Sequence, residues 1–242
     1  MDRSYTDEEA AELYDVLNVW GECDEFYLRL VMRSRSVLDV GCGTGILLRR
    51  ARRQGHSGRL CGLDPDVHRL SVAGIRTDIE WHLGVAASIA WEAEFDLAVM
   101  TGHAFQCLLE DDEIVRSFGA IRRSLKEEAL FAFETRNPLS RAWEAWPDRR
   151  IDVVDQAGRS VTVSYRVEDV RDDRVCYVET TRSRMGEVLR EDCSWLRFLG
   201  PEHLGKLLLE GGFEVERQFG TWKTEPITDS SPEIITLARA SP

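Results

Sequence analysis

Three glycines that follow a short apolar run constrain this chain more than any other feature of its sequence. They lie in Ser36–Ala51, SVLDVGCGTGILLRRA, where the residues before Gly41 are typical of a buried strand and those after Gly45 of an amphipathic helix. Glycines at such a strand-to-helix turn tolerate positive φ and let a ligand approach bare backbone. The sequence therefore predicts a ligand-binding loop at Gly41, Gly43 and Gly45.

Short β-rich runs alternate with helical stretches between Arg35 and Thr135. The runs are SVLDV, RLCGLD, DIEWHL, FDLAVM and ALFAFET. This alternation favours a parallel, doubly wound sheet with helices on both faces. Two further strands, FEVERQFG and EIITLARA, follow a helix predicted over Pro201–Glu210. We therefore expect an α/β fold built on a doubly wound, seven-stranded sheet.

The pattern changes between Arg150 and Phe198, where three runs show partial period-2 alternation with turn signals between them. This pattern predicts an antiparallel meander inserted after the fifth strand. The N-terminal segment Thr6–Met32 has apolar residues at helical spacing, and we expect it to pack over one edge of the sheet. The predicted domains are a helical cap at 1–34, a sheet domain at 35–149 and 199–242, and an inserted antiparallel β lid at 150–198.

Composition restricts the partners and the location of the chain. A net charge of −12 opposes binding to a phosphate backbone, so we expect no nucleic acid partner. The apolar runs fall far short of the roughly 20 residues that cross a membrane. The six cysteines form no CxxC pair and the sequence begins without a signal-like segment, which indicates a reduced, cytoplasmic protein. The spacing of His, Cys, Asp and Glu indicates no metal site, and a homodimer stays open.

The spacing of the glycines separates two classes of nucleotide loop. A dinucleotide-binding dehydrogenase has GxGxxG, whereas this chain has GxGxG, so the spacing disfavours NAD. A loop that merely lets the strand and the helix pack stays open from the glycines alone, because a lone glycine-rich turn is weak evidence.

The stretch VLDVGCGTG resembles the nucleotide-loop motif of class I S-adenosylmethionine-dependent methyltransferases, and the similarity extends from the N-terminal helix to the last strand. The resemblance implies a Rossmann-like fold and S-adenosyl-L-methionine as the cofactor. It also implies the small-molecule type of these methyltransferases, in which an antiparallel lid is inserted. It assigns cofactor binding to the glycine loop and to residues after the second, third and fourth strands: Asp39, Val40, Gly41, Cys42, Gly43, Thr44, Gly45, Asp64, Pro65, Val85, Ala86 and Thr101.

Two carboxylates have separate roles in this resemblance. Asp39 would set the loop and bind the amino group of the methionine moiety, and Asp64 would accept hydrogen bonds from both ribose hydroxyls. Val85 stands where the family often has an acidic residue that binds the adenine amino group. The backbone of Val85 and Ala86, or Ser88, is expected to bind the adenine instead.

The acceptor site is expected where the fourth strand ends, because ligands of open α/β sheets bind at the carboxyl ends of the strands. His103 is the candidate general base, since histidine titrates near neutrality; capping the following helix or binding the cofactor tail is the alternative. The candidate substrate-binding residues are Tyr14, Phe105, Arg136 and Trp143, with Arg136 as the partner of an anionic group. Core packing is an equal account of Tyr14.

The predicted function is methyl transfer to an N or O atom of a small-molecule acceptor. No NPPY-like or DPPY-like stretch follows the fourth strand, which disfavours methylation of nucleic acid bases or protein amides. A noncatalytic module that binds S-adenosylmethionine or a nucleotide is the alternative from a different class.

Overall fold

The computed structural model describes residues 5–147 and 149–241; residues 1–4, 148 and 242, which belong to the predicted domain ranges, lie outside them. The helices of the described ranges are α1 (Asp7–Leu17), α2 (Glu22–Val31), α3 (Ile46–Arg53), α4 (Val67–Ala73), α5 (Asp111–Ser124) and α6 (Pro201–Glu210). The strands are β1 (Ser36–Val40), β2 (Arg59–Asp64), β3 (Glu80–Leu83), β4 (Phe95–Met100), β5 (Leu125–Arg136), β6 (Arg150–Val154), β7 (Ser160–Arg171), β8 (Arg174–Ser183), β9 (Val188–Arg197), β10 (Phe213–Phe219) and β11 (Glu233–Ala240). None of these helices is long and apolar enough to cross a membrane.

The main sheet has seven strands in the order β10-β11-β5-β4-β1-β2-β3. β1 pairs in parallel with β2 and β4, whereas β11 pairs antiparallel with β5 and β10. All five residues of β1 are buried, as expected for a central strand covered on both faces. The predicted doubly wound, seven-stranded sheet is confirmed. Because β1, β2, β4 and β5 run in parallel, their carboxyl ends meet at one edge of the sheet.

Four strands between β5 and α6 form a separate antiparallel sheet, β6-β7-β8-β9. The predicted antiparallel insertion is therefore confirmed, with four strands rather than three runs. The first run contains a hairpin at Ala157–Gly158, where Gly158 has a φ of +80° that only glycine adopts readily. We call β6–β9 the lid, and its limits as a domain stay a prediction.

The N-terminal segment folds as two helices. Thr6 begins α1 with a capping box, because its hydroxyl accepts from the backbone of Glu9 and the Glu9 carboxylate accepts in return. α2 lies over the middle of the sheet rather than over an edge, because its Tyr27 and Val31 share a core with Val99 of β4 and other central residues. The expectation of edge packing is therefore wrong for α2, which buries Tyr27 and Val31 against the wide face of the sheet.

A buried hydrogen bond between Tyr27 of α2 and Glu134 of β5 generates a prediction for stability. The Tyr27 hydroxyl donates to the carboxylate, and both side chains are buried. Tyr27→Phe keeps the ring and removes the donor, so the free energy of unfolding is expected to fall by about 1–3 kcal/mol. Urea denaturation at fixed pH measures the change. An unchanged midpoint and slope would mean that this hydrogen bond contributes no net stability.

Candidate active site

The glycine loop after β1 has the backbone conformation that its sequence predicts. Gly41, Gly43 and Gly45 have φ values of +73°, +56° and +71°. A Cβ at Gly41 would lie 2.8 Å from the Cβ of Ala104, and a Cβ at Gly45 would lie 2.2 Å from the Trp81 ring. A Cβ at Gly43 would meet no atom within 4 Å. Packing thus requires two of the glycines, whereas Gly43 borders open space that a ligand can fill.

Two carboxylates are buried where β1 and β2 end. Asp64 accepts hydrogen bonds from the backbone N–H groups of Gly43 (2.7 Å) and Asp66 (2.9 Å). Asp39 is 1% exposed, and its Oδ1 has no hydrogen-bond partner among the described residues. Burial, aided by the negative charges of Asp64 and Glu134, raises the pKa of Asp39 to about 8. A buried carboxylate with an orphaned oxygen fits a cationic group such as an ammonium.

Asp15 holds α1 over the glycine loop. The Thr44 hydroxyl donates to Asp15 Oδ1 (2.5 Å), and the Arg49 guanidinium donates to Oδ2 (2.9 Å). The hydroxyl of the neighbouring Tyr14 lies 3.2 Å from the position that a Cβ would take at Gly102, in the loop after β4. The predicted substrate-binding residue Tyr14 therefore lies where α1 meets the ends of β1 and β4.

Exposed apolar side chains surround the end of β2. Val67, Leu83 and Val85 are 55%, 64% and 53% exposed, and Leu83 lies opposite Asp64 in the strand register. The Ser88 hydroxyl donates to the Val85 carbonyl (2.7 Å) and accepts from the Val85 N–H (3.2 Å). The backbone groups of Val85 are thus used within the local turn. The exposed apolar side chains near Asp64 could cover the face of an aromatic base.

The other predicted cofactor residues are divided between the core and the edge of the site. Pro65 is exposed and Thr101 is half-buried at the end of β4. The remainder are buried, namely Val40, Cys42, Thr44 and Ala86.

His103 lies in a strained loop that two carboxylates hold. Its φ of +60° is rare for a residue with a side chain. Its backbone N–H donates to Glu134 (2.9 Å), and its ring Nε2 lies 3.0 Å from a carboxylate oxygen of Glu233. Burial raises the pKa of Glu134. The contact with Glu233 leaves Nδ1 as the ring nitrogen for proton transfer.

Sequence reasoning missed Glu233. It is the first residue of β11 and pairs with Arg136, the last residue of β5. The signal was present in EIITLARA, because an antiparallel neighbour of the fifth strand brings its first residue to the edge where that strand ends.

Arg136 projects at the same edge without a carboxylate partner. Its guanidinium donates to the Gln106 side-chain oxygen (2.8 Å) and lies 5.5 Å from the centre of the Trp146 ring. It takes part in no ion pair within the described ranges, and burial lowers its pKa. This unpaired, half-buried cation fits an anionic group of a ligand.

Two of the predicted substrate-binding residues, Phe105 and Trp143, pack against other aromatic rings. Phe105 is fully buried between the Phe118 and Phe133 rings, so the structure contradicts its prediction as an acceptor contact. Phe105 is apolar and lies directly after the β4 loop, so its burial anchors that loop in the core. Trp143 packs against Phe198 at 4.6 Å between ring centres, and its neighbour Trp146 carries the contact with Arg136.

A cluster with metal-ligand types forms away from the glycine loop. The ligand atoms of Cys61, Glu80 and His82 lie within 4.8 Å of one another. Arg59 pairs with the Glu80 carboxylate at 2.8 Å, which already satisfies its charge. The sequence spacing did not reveal the cluster, because only the pairing of β2 and β3 brings it together.

Similar proteins share the fold and part of the sequence. Residues 37–128 match a family model described as a methyltransferase domain. The 2-phytyl-1,4-naphtoquinone methyltransferase of Thermosynechococcus vestitus is 32% identical over 123 residues, 45% of this chain and 54% of that protein. The chain therefore spans about half the length of this relative. The cypemycin N-terminal methyltransferase of Streptomyces sp is 22% identical over 244 residues, 98% of each chain.

Solved methyltransferase structures share the fold of this chain. An S-adenosylmethionine-dependent methyltransferase from Clostridium acetobutylicum has a TM-score of 0.77 at 16% identity, over 97% of this chain and 98% of that one. An S-adenosylmethionine-bound amino pentose methyltransferase from Micromonospora echinaspora has a TM-score of 0.68 at 18% identity, over 95% and 97%. Residues 37–128 thus match a methyltransferase domain, and the fold of the chain is that of solved S-adenosylmethionine-dependent methyltransferases, the class I family that VLDVGCGTG resembles. S-Adenosylmethionine is the cofactor of that family.

Gly43, beside open space, and Gly45, beside the Trp81 ring, give a matched pair of variants. Gly43→Ala places a methyl group in open space, so it should cost about 1–2 kcal/mol of stability through its positive φ and weaken binding of S-adenosylhomocysteine at least tenfold. Gly45→Ala carries the same strain and also meets Trp81, so it should lose a further 1–3 kcal/mol or so. Thermal unfolding and calorimetry measure both effects. Equal binding by Gly43→Ala and the unaltered protein would place the ligand elsewhere.

Proposed function

We propose that this chain is an S-adenosylmethionine-dependent methyltransferase that transfers a methyl group to an N or O atom of a small-molecule acceptor. One observation carries the proposal: the orphaned oxygen of Asp39 lies near the end of β1, just before the loop with open space at Gly43, within a region that matches a methyltransferase domain. A small acceptor agrees with the net charge of −12 and with relatives named as an N-terminal and an amino pentose methyltransferase.

The residues around the glycine loop match the parts of the cofactor. Asp39 would bind the ammonium of the methionine end, and the first N–H groups of α3 favour its carboxylate. Asp64 accepts from the backbone N–H groups of Gly43 in the loop and of Asp66 after β2, and it keeps further acceptor positions for the ribose hydroxyls. The exposed side chains of Val67, Leu83 and Val85 would cover the adenine.

Bound S-adenosylmethionine supplies a methyl group on a positively charged sulfur. Transfer of that group to an acceptor would require the protein to align the attacking atom and to remove its proton. His103 would take that proton at Nδ1, while Glu233 holds Nε2 and stabilises the imidazolium that forms. Arg136 would bind an anionic group of the acceptor.

Titration calorimetry with S-adenosylhomocysteine, with NADH as the control, tests the cofactor assignment. We expect micromolar affinity for S-adenosylhomocysteine, about −8 kcal/mol, and no binding of NADH. Because the pKa of Asp39 is about 8, its carboxyl is mostly protonated at pH 7, and an ammonium beside it favours ionisation. Binding should therefore release a proton, which makes the observed heat depend on the ionisation enthalpy of the buffer.

Asp39→Asn serves as the control for this proton release. The substitution keeps the size of the side chain and removes its titration, so the heat of binding should become nearly independent of the buffer. Binding of NADH in place of S-adenosylhomocysteine, or of neither, would overturn the proposed function. Release of the same proton by the variant would overturn only the role of Asp39.

His103→Ala tests the proposed general base, with His203→Ala as a matched control. His203 also lies 3.1 Å from a carboxylate, that of Asp111, but on the surface at α6. For a hydroxyl acceptor, His103→Ala should lower kcat by about 10²–10⁴-fold without changing the Kd of S-adenosylhomocysteine. Formation of S-adenosylhomocysteine measures turnover. An unchanged kcat and pH profile would mean that His103 takes no proton.

A further inference from the structure

One face of the lid carries an aromatic and acidic cluster beside the proposed acceptor site. Tyr165 of β7 lies directly opposite Glu179 of β8, and Tyr177 lies on the same face of β8. The Tyr165 and Tyr177 ring centres are 6.4 Å apart, and the Trp146 ring packs edge-on against Tyr177 at 5.4 Å. We call Trp146, Tyr165, Tyr177 and Glu179 the lid cluster; all four side chains are half-buried.

Glu179 has no cationic partner in the ion pairs of the described residues. Its neighbour across the strands, Asp192, is paired with Arg190 at 2.5 Å. Burial and the negative charge of Asp192 raise the pKa of Glu179, while the Tyr165 hydroxyl and two nearby arginines act in the opposite direction. These arginines form no direct ion pair with Glu179 among the described residues, so the half-buried carboxylate can still pair with a cationic group of a ligand.

Contacts of Trp146 connect the lid cluster to the residues proposed for methyl transfer. Trp146 lies between Tyr177 and the Arg136 guanidinium, and Arg136 pairs with Glu233, the partner of His103, in the strand register. The charges of both Glu179 and Arg136 act on the Tyr177 hydroxyl. An unpaired carboxylate and an unpaired guanidinium of the described residues therefore both lie near the Tyr177 hydroxyl.

We propose that the acceptor is a small zwitterionic amine, whose ammonium group is bound by Glu179 and the rings of Tyr165 and Tyr177 and whose anionic group is bound by Arg136. Tyrosine faces attract cations, and a desolvated carboxylate gives the ammonium a charge-assisted hydrogen bond. This inference rests on the proposed function, and it selects nitrogen over oxygen as the attacking atom. The ammonium would lose one proton before attack, with His103 as the proposed base, and the neutral amine would then form its bond to the methyl carbon as the carbon–sulfur bond breaks and S-adenosylhomocysteine leaves.

Matched pairs of probes test this acceptor class. Each pair has the same skeleton and anionic group and differs only in carrying an amine or a hydroxyl: glycine and glycolate, L-phenylalanine and L-phenyllactate, and L-glutamate and L-2-hydroxyglutarate. Binding to the protein loaded with S-adenosylhomocysteine is measured by calorimetry. We expect the amine of at least one pair to bind tenfold or more tightly than its hydroxyl analogue. If no amine is preferred, the inference is wrong.

Glu179→Gln should remove the preference for the amine, whereas Glu168→Gln should keep it. Glu168 is an exposed carboxylate of the same lid, paired with Arg166. Glu179→Gln keeps the shape of the side chain and removes a buried charge, so its unfolding temperature should not fall. A preference that survives Glu179→Gln overturns the role of the lid cluster. Loss of S-adenosylhomocysteine binding by the unaltered protein would instead overturn the proposed function.

Discussion

Two buried carboxylates at neighbouring strand ends are the constraint around which the rest of the site is arranged. Asp39 and Asp64 lie near the ends of adjacent parallel strands in a place that water hardly reaches, and burial together with the nearby Asp64 charge raises the pKa of Asp39. Asp64 accepts from the backbone N–H groups of Gly43 in the loop and of Asp66 after β2, whereas Asp39 retains an orphaned oxygen. The loop therefore has a fixed shape, and Oδ1 of Asp39 beside it can accept a hydrogen bond from a cationic group. These two properties together define what the loop can bind.

α1 connects this loop to the lid. Its Leu13 packs with Val161 and Val163 of β7, while its Asp15 binds Thr44 of the glycine loop. The same short helix thus contacts both the cofactor side and the acceptor side of the proposed site. An apolar face and a single acidic side chain suffice for this, because residues three or four apart lie on one face of a helix and its neighbours project elsewhere.

The sequence predicted the parts of the molecule that depend on local pattern. Alternating strands and helices, the glycine turn and the antiparallel insertion are all local signals, and the structure confirms them. Glu233 and Glu179 were missed because their neighbours come from strands far away in the chain. Phe105 was assigned to the site because of its position after β4, but burial depends on which way a 3₁₀ turn points.

The indole of Trp81 limits the substitutions that this sequence can tolerate during evolution. It fills the space beside Gly45 and also beside Gly62, where an added Cβ would lie 2.6 Å from the ring. Neither glycine can gain a side chain while the ring is present, yet a smaller residue at position 81 would leave a cavity that destabilises the fold. Substitutions at positions 45, 62 and 81 are therefore coupled, because a smaller residue must replace Trp81 before either glycine can gain a side chain. Homologues with another residue at either glycine should carry a compensating change on β3.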